Sequence, residues 1–133
     1  MKKKHGIILI VVTLIIIGAF FGLKSLINQI NALHQELIAE KILDIDLTKI
    51  ADGTYAGRYD AFPVAAEVKV TVKNHRITGI ELVKHRNGRG APAETIPERV
   101  MEAQSLAVDT VAGAIISSKV ILKAIENALI GIY

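Results

Sequence analysis

Hydrophobic and polar positions divide the chain into stretches with different periods. From Gly6 to Leu23 there are 18 residues without a charge, rich in Ile, Leu, Val and Phe. At about 1.5 Å per residue this run spans about 27 Å as a helix, close to a bilayer core of about 30 Å. Such a helix has no charged face, which a soluble domain of this size does not need. Lys24 closes the run. From there to about Asp46 the pattern turns amphipathic, with Leu26, Ile30, Leu33, Leu37 and Ile38 mostly three or four apart. Gln29, Asn31, Gln35, Glu36 and Glu40 occupy the other faces. A helical stalk is expected, ending at Asp44-Ile45-Asp46-Leu47-Thr48. A short coiled coil that makes a homodimer is the alternative, although it holds few heptads.

From Asp52 the period drops to two. Asp52-Gly53 is a turn signal, and Thr54 to Tyr59 follows as a first strand. Ala66, Val68, Val70 and Val72 then alternate with Glu67, Lys69, Thr71 and Lys73, the pattern of a half-buried strand. Asn74-His75 fits a tight turn, and Arg76 to Val83 returns as a third strand. A polar loop with Gly88, Gly90 and Pro92 leads to a helix over Thr95–Ala103, with Pro97 near its first turn. A last helix is expected over about Gly113–Leu129, its stripe formed by Ile116, Val120, Ile121, Ala124, Ile125 and Ala128. The fold class is α+β: a small antiparallel sheet with helices on one face, preceded by a transmembrane helix and a helical stalk. The expected divisions are 1–23 for a cytoplasmic tip and anchor, 24–47 for the stalk and 48–133 for the domain.

Charge orients the anchor. Lys2, Lys3 and Lys4 precede the apolar run and only Lys24 follows closely, so the N-terminus stays cytoplasmic and the domain is extracytoplasmic. A cleaved signal peptide is the rival, but Gly22-Leu23-Lys24-Ser25 offers no clean small-x-small site and the apolar run exceeds the usual length. The expected location is the cell membrane, as a single-pass signal-anchor protein. The chain has no Cys, which excludes a lipid-modified cysteine anchor. Its net charge is +3, and from Thr48 onward there are 11 Lys and Arg against 9 Asp and Glu. That balance, with no Trp and few aromatics, argues against nucleic acid as a partner.

Chemistry concentrates in Asp109-Thr110-Val111-Ala112-Gly113-Ala114-Ile115-Ile116-Ser117-Ser118-Lys119. A Gly-Ala pair opens a helix, and two hydroxyls fall in its first turns. Free N–H groups and the helix dipole suit such an end to a phosphate, and small residues allow close approach. The alternative is an ordinary helix start with Asp109 or Thr110 near the cap. His85, Arg86 and Arg89 form a basic loop that either assists a phosphate or ring edge or is simply solvated. His75 belongs to the expected turn. His5 and His34 suggest nothing catalytic. No His, Asp, Glu or Cys set has metal spacing, and neither a nucleophile elbow nor a phosphate-binding loop occurs. A stand-alone hydrolase is not indicated, and no residue is expected to be catalytic or to bind a metal.

The segment resembles the flavin-attachment motif of FMN-binding domains. That family includes the flavin subunits of Rnf and sodium-pumping NADH:quinone reductase complexes and many small exported flavoproteins. Its pattern is Asp-x-x-Ser/Thr-Gly-Ala-Thr-x-Thr/Ser-Ser, matched by Asp109, Gly113, Ala114, Ser117 and Ser118. Asp52-Gly53-Thr54-Tyr55, Val68 to Lys73, Ile77-Thr78-Gly79-Ile80, His85 to Gly90 and Ile96 to Ser105 follow the family in order and spacing. Two positions depart from it: Ala112 and Ile115 stand where the family has hydroxyls.

The resemblance implies an FMN cofactor joined through its phosphate to a motif hydroxyl by a flavin transferase. Ser117 is that hydroxyl if attachment is near the motif's end. Ile115 forbids the bond if it is directly after Ala114. Implied binding residues are Asp109, Gly113, Ala114, Ser117, Ser118, His85 and Arg86. The implied role is electron transport among membrane redox proteins, as a carrier or redox subunit rather than a stand-alone enzyme. A domain that keeps the fold without flavin, as a structural or interaction module, is the alternative. A small ligand other than FMN is the third reading.

Overall fold

A computed structural model of the chain describes residues 1–131. The two apolar segments form one unbroken helix, α1, over Lys2–Ala39. It is long and apolar enough to cross a membrane, with a mean hydropathy of 2.9 in its most apolar window. The helix stops at Ala39, short of the expected Asp46, and residues 41–46 have no regular structure. The chain falls into two compact units, Met1–Leu33 and everything from His34 onward. In the first, the apolar residues are exposed all around the helix, as those of a membrane span are before lipid surrounds it.

The second unit is built on a three-stranded antiparallel meander in the order β1 (Gly53–Ala61), β2 (Val64–Lys73), β3 (Arg76–Arg86). The period-two pattern of β2 explains its central place. Val64, Ala66, Val68, Val70 and Val72 are all buried on one face. Full burial of each valine contributes about 1.5–3 kcal/mol. Asn74 and His75, with φ of 51° and 59°, make the turn between β2 and β3. Both lie in the left-handed region that a two-residue hairpin turn requires.

β3 departs from simple alternation. Its register against β2 shifts between Glu67 and Val68 and again between Thr71 and Val72. The extra residues on β3 are Val83 and Thr78, both exposed. The core-side positions therefore run Ile77, Ile80, Leu82 and His85, opposite Val72, Val70, Val68 and Ala66. A bulge changes which face the following residues take. That at Val83 turns His85 inward and leaves Arg86 outward.

The outer edge of β3 is closed by a side chain. Gln104 caps α2 (Ile96–Ala103) in a left-handed conformation with φ of 49°. Its Oε1 accepts from Ile77 N at 2.8 Å, and its Nε2 donates to Ile77 O at 2.9 Å. One amide thus replaces a missing neighbouring strand at that point.

α3 (Ile115–Ile130) packs on β1 and β2 and is buried around most of its circumference. The expected stripe accounts for the sheet side. The other side is covered by the chain from His34 to Ile50. Leu37 is 2% exposed, and Ile42, Ile45, Leu47 and Ile50 pack against the same core. Polar contacts hold this strap to α3. Lys119 Nζ donates to Glu40 O at 2.8 Å, and Lys123 Nζ reaches Glu40 at 2.6 Å and Glu126 at 3.1 Å. Glu126 also accepts from Leu43 N at 2.9 Å. Asp44 accepts from Ser105 Oγ and Leu106 N, anchoring the strap's middle.

Candidate functional site

The start of α3 is preceded by a turn in which Ala114 N donates to Val111 O at 3.0 Å. Gly113 has a φ of 78° there, a conformation that glycine adopts without steric cost. The first backbone bond of the helix is Ser118 N to Ala114 O, 2.9 Å. The N–H groups of Ile115, Ile116 and Ser117 are therefore left without backbone partners, as at any helix start. Ala114 is the N-cap and supplies no side-chain acceptor, and the first turn holds no acidic residue. Asp109 does not cap this helix, contrary to the role expected for it. It lies five residues earlier, exposed, with its carbonyl accepting from Arg99 Nη1 at 3.3 Å.

The two serines have different surroundings. Ser118 is fully buried, and its Oγ donates to Ala114 O at 2.7 Å while accepting from Val111 N at 3.0 Å. It ties the Val111–Ala114 turn to the helix, and its one hydroxyl proton is engaged in that tie. Ser117 is 2% exposed and packs against Gly90, whose missing side chain makes the approach possible. A Cβ on Gly90 would overlap Ser117 Oγ. Ile115 lies at the opposite extreme, 43% exposed, where the family places a hydroxyl.

A groove of about 460 Å³ runs past this helix start. Gly113, Ala114, Ile115, Ile116 and Ser117 form one side. Asn87, Arg89 and Gly90 from the loop after β3, with Val64, His34 and Ile38, complete it. Among the described residues no carboxylate lines the groove and Arg89 forms no ion pair. Its volume falls within the range of small-molecule sites, about 300–1,000 Å³.

His85 and Arg86, adjacent in sequence, are separated by the sheet. The His85 side chain is 3% exposed on the side that carries α3. Its Nδ1 lies 3.1 Å from Glu94 Oε1, which also accepts from Asn87 Nδ2 at 3.3 Å. His85 Nε2 is buried without a hydrogen-bond partner. An unpaired polar atom in such a place costs about 1–3 kcal/mol unless a ligand or water meets it. Arg86 faces the other way. Its Nε donates to Pro63 O at 2.6 Å, and its guanidinium pairs with Asp60 at 3.3 Å. A second cleft, about 370 Å³, is lined by both His85 and Arg86, together with Arg58, Asp60, Glu67 and Lys84. Its charges are mixed and it holds none of the motif at the start of α3, so the candidate site is the groove.

The site brings together Gly113, Ala114 and Ser117, with Ser118 beneath them as a support. It leaves Asp109, Arg86 and His85 outside. It adds Arg89, Gly90, Asn87, Ile38 and His34, of which only Arg89 carried a sequence signal for ligand binding. Two features fit a flavin mononucleotide: unpartnered N–H groups for a phosphate and a groove of suitable size. No curated protein and no solved structure matches the chain. The family model for the FMN-binding domain matches residues 64–130, from the first residue of β2 to the last of α3. With half of its length matched and the motif at the head of α3 lining a ligand-sized groove, this chain belongs to the FMN-binding domain family.

Proposed function

We propose that this protein is a membrane-anchored, extracytoplasmic electron carrier that holds FMN in the groove beside the start of α3. The observation that carries the reading is the uncapped helix start, where Ile115, Ile116 and Ser117, their N–H groups without backbone partners, line a groove that holds no carboxylate among the described residues. Those groups and Arg89 would take the phosphate. Bound FMN supplies the electron-carrying chemistry, and the chain supplies placement and shielding from water. Lys2, Lys3 and Lys4 support an N-terminus on the cytoplasmic side, with the domain and its redox partners at the outer surface.

The flavin is held without a covalent bond to the chain. Ser117 is buried against Gly90, while the exposed position, Ile115, has no hydroxyl to offer. The test is a titration of the full-length protein in detergent, following quenching of flavin fluorescence. FMN should bind at least about tenfold more tightly than riboflavin, because charge-assisted phosphate bonds contribute about 1.5–3 kcal/mol each. Failure to bind FMN would sink the reading. Equal affinity for the two flavins would remove the phosphate from the start of α3.

A further inference from the structure

The stretch from His34 to Ile38 precedes the family match, yet it forms part of the groove. His34 Nε2 lies 3.2 Å from Ala61 O and 3.0 Å from Phe62 O. Two carbonyl oxygens at one ring nitrogen require that this nitrogen carry the proton. With a single ring proton the imidazole is thereby held as the Nε2–H tautomer, which leaves Nδ1 as an acceptor. Among the described residues no group donates to Nδ1. Ile38, one helical turn further on, adds an apolar surface that is 39% exposed.

We infer that His34 is a ligand-binding residue, oriented by the turn between β1 and β2, and that its Nδ1 accepts a hydrogen bond from the bound flavin nucleotide. The inference rests on the FMN reading above and extends the site into the end of α1. The complementary ligand chemistry is a neutral N–H or O–H donor, which a flavin nucleotide carries on its ring imide and its ribityl chain. Phosphate is a poor match for this nitrogen, since it is itself an acceptor. The anionic end of the ligand therefore belongs with Arg89 and the helix start, and the donor-bearing part with His34. Ile38 gives the same part of the ligand an apolar contact. The division of labour follows from which groups can donate and which can only accept.

Full-length protein in detergent, titrated with FMN, tests this with three variants. His34→Gln keeps an N–H that can reach the Ala61 and Phe62 carbonyls but has no counterpart to Nδ1. It should leave the thermal midpoint of the ligand-free protein unchanged and weaken FMN binding by about three- to tenfold, the worth of one hydrogen bond. The same factor should appear with riboflavin, because the affected contact does not involve phosphate. Ile38→Ala should weaken both flavins by a similar factor. Arg89→Ala should weaken FMN but not riboflavin. If wild type binds FMN and both His34→Gln and Ile38→Ala bind it equally well, the inference is overturned while the FMN reading stands. If wild type binds no flavin, the FMN reading itself fails. A factor seen for His34→Gln with FMN only would also overturn the assignment, by placing His34 at the phosphate.

Discussion

Gly90 and Ser117 come from a loop and a helix 27 positions apart, and they pack so closely that a Cβ on the glycine would overlap the serine's Oγ. This contact joins the loop after β3 to the start of α3 and sets the width of the groove between them. Gly90→Ala should therefore act on the site and the fold together. Overpacking at such a contact costs about 1–3 kcal/mol. The expected outcome is a lower thermal midpoint and weaker FMN binding. Gly90→Ala combined with Ser117→Ala should recover part of the stability, because removing the hydroxyl gives the new methyl room. A Gly90→Ala protein with unchanged midpoint and unchanged FMN affinity would show that the contact is not tight.

The exposed position at the head of α3 has the wrong chemistry for attachment, and the hydroxyl two residues on has the wrong exposure. Ile115→Thr with Ala112→Ser supplies both missing hydroxyls without touching the buried core. Co-expressed with an active flavin transferase, this double variant should gain the mass of one phosphoester-linked FMN, and its flavin fluorescence should survive denaturation. The wild-type chain should gain nothing under the same conditions. An adduct mapped to Ser117 in the wild type would refute the non-covalent reading. A double variant that stays unmodified would mean that the two hydroxyls are not what the transferase lacks.

Lys123 joins the strap to α3 by meeting Glu40 and Glu126 at once. Burial, the largest single influence, works to lower its pKa. The hydrogen bonds to Glu40 and Glu126, with their charges, outweigh it, and the ammonium is held above its ordinary 10.5. A raised lysine contributes stability fully below the ordinary value and loses it as pH rises through the higher folded value. Thermal unfolding should therefore show a falling midpoint above about pH 10.5, and Lys123→Met with Glu126→Leu should flatten that fall. Lys123→Ala alone leaves Glu126, whose side chain is 4% exposed, short of its cation. It should cost about 3–5 kcal/mol. A loss under 1 kcal/mol, read from chemical denaturation, would show that solvent screens the network.

Much of the architecture was legible before any coordinates. The uncharged run to Leu23, the alternation of β2, the Asn74-His75 turn and the stripe of α3 are local patterns, and each specifies its element through a single period. The motif at Asp109–Ser118 was also legible, because its spacing is contained within one turn and one helix start. The end of α1 was not. Amphipathic spacing to about Asp46 fits a helix, but the helix stops at Ala39 and the strap beyond it exchanges helical bonds for contacts with Lys119, Lys123, Ser105 and Leu106. Only the presence of α3 and of the Ser105–Leu106 segment makes that exchange favourable.

By itself, then, the sequence determined the membrane-length helix, the three strands, the helix that carries the motif and the two hydroxyls missing from it. All of these follow from side-chain type and local spacing. Tertiary structure decided which of the named residues meet. A one-residue bulge at Val83 sends His85 to the core side and Arg86 to the other, a choice made by strand register rather than by composition. The backbone of the β1–β2 turn fixes the ring of His34, the histidine that the sequence left without a role, and the return of Gly90 to Ser117 closes the groove around it. The last two are contacts between residues 27 or more positions apart, and no period along the chain encodes them.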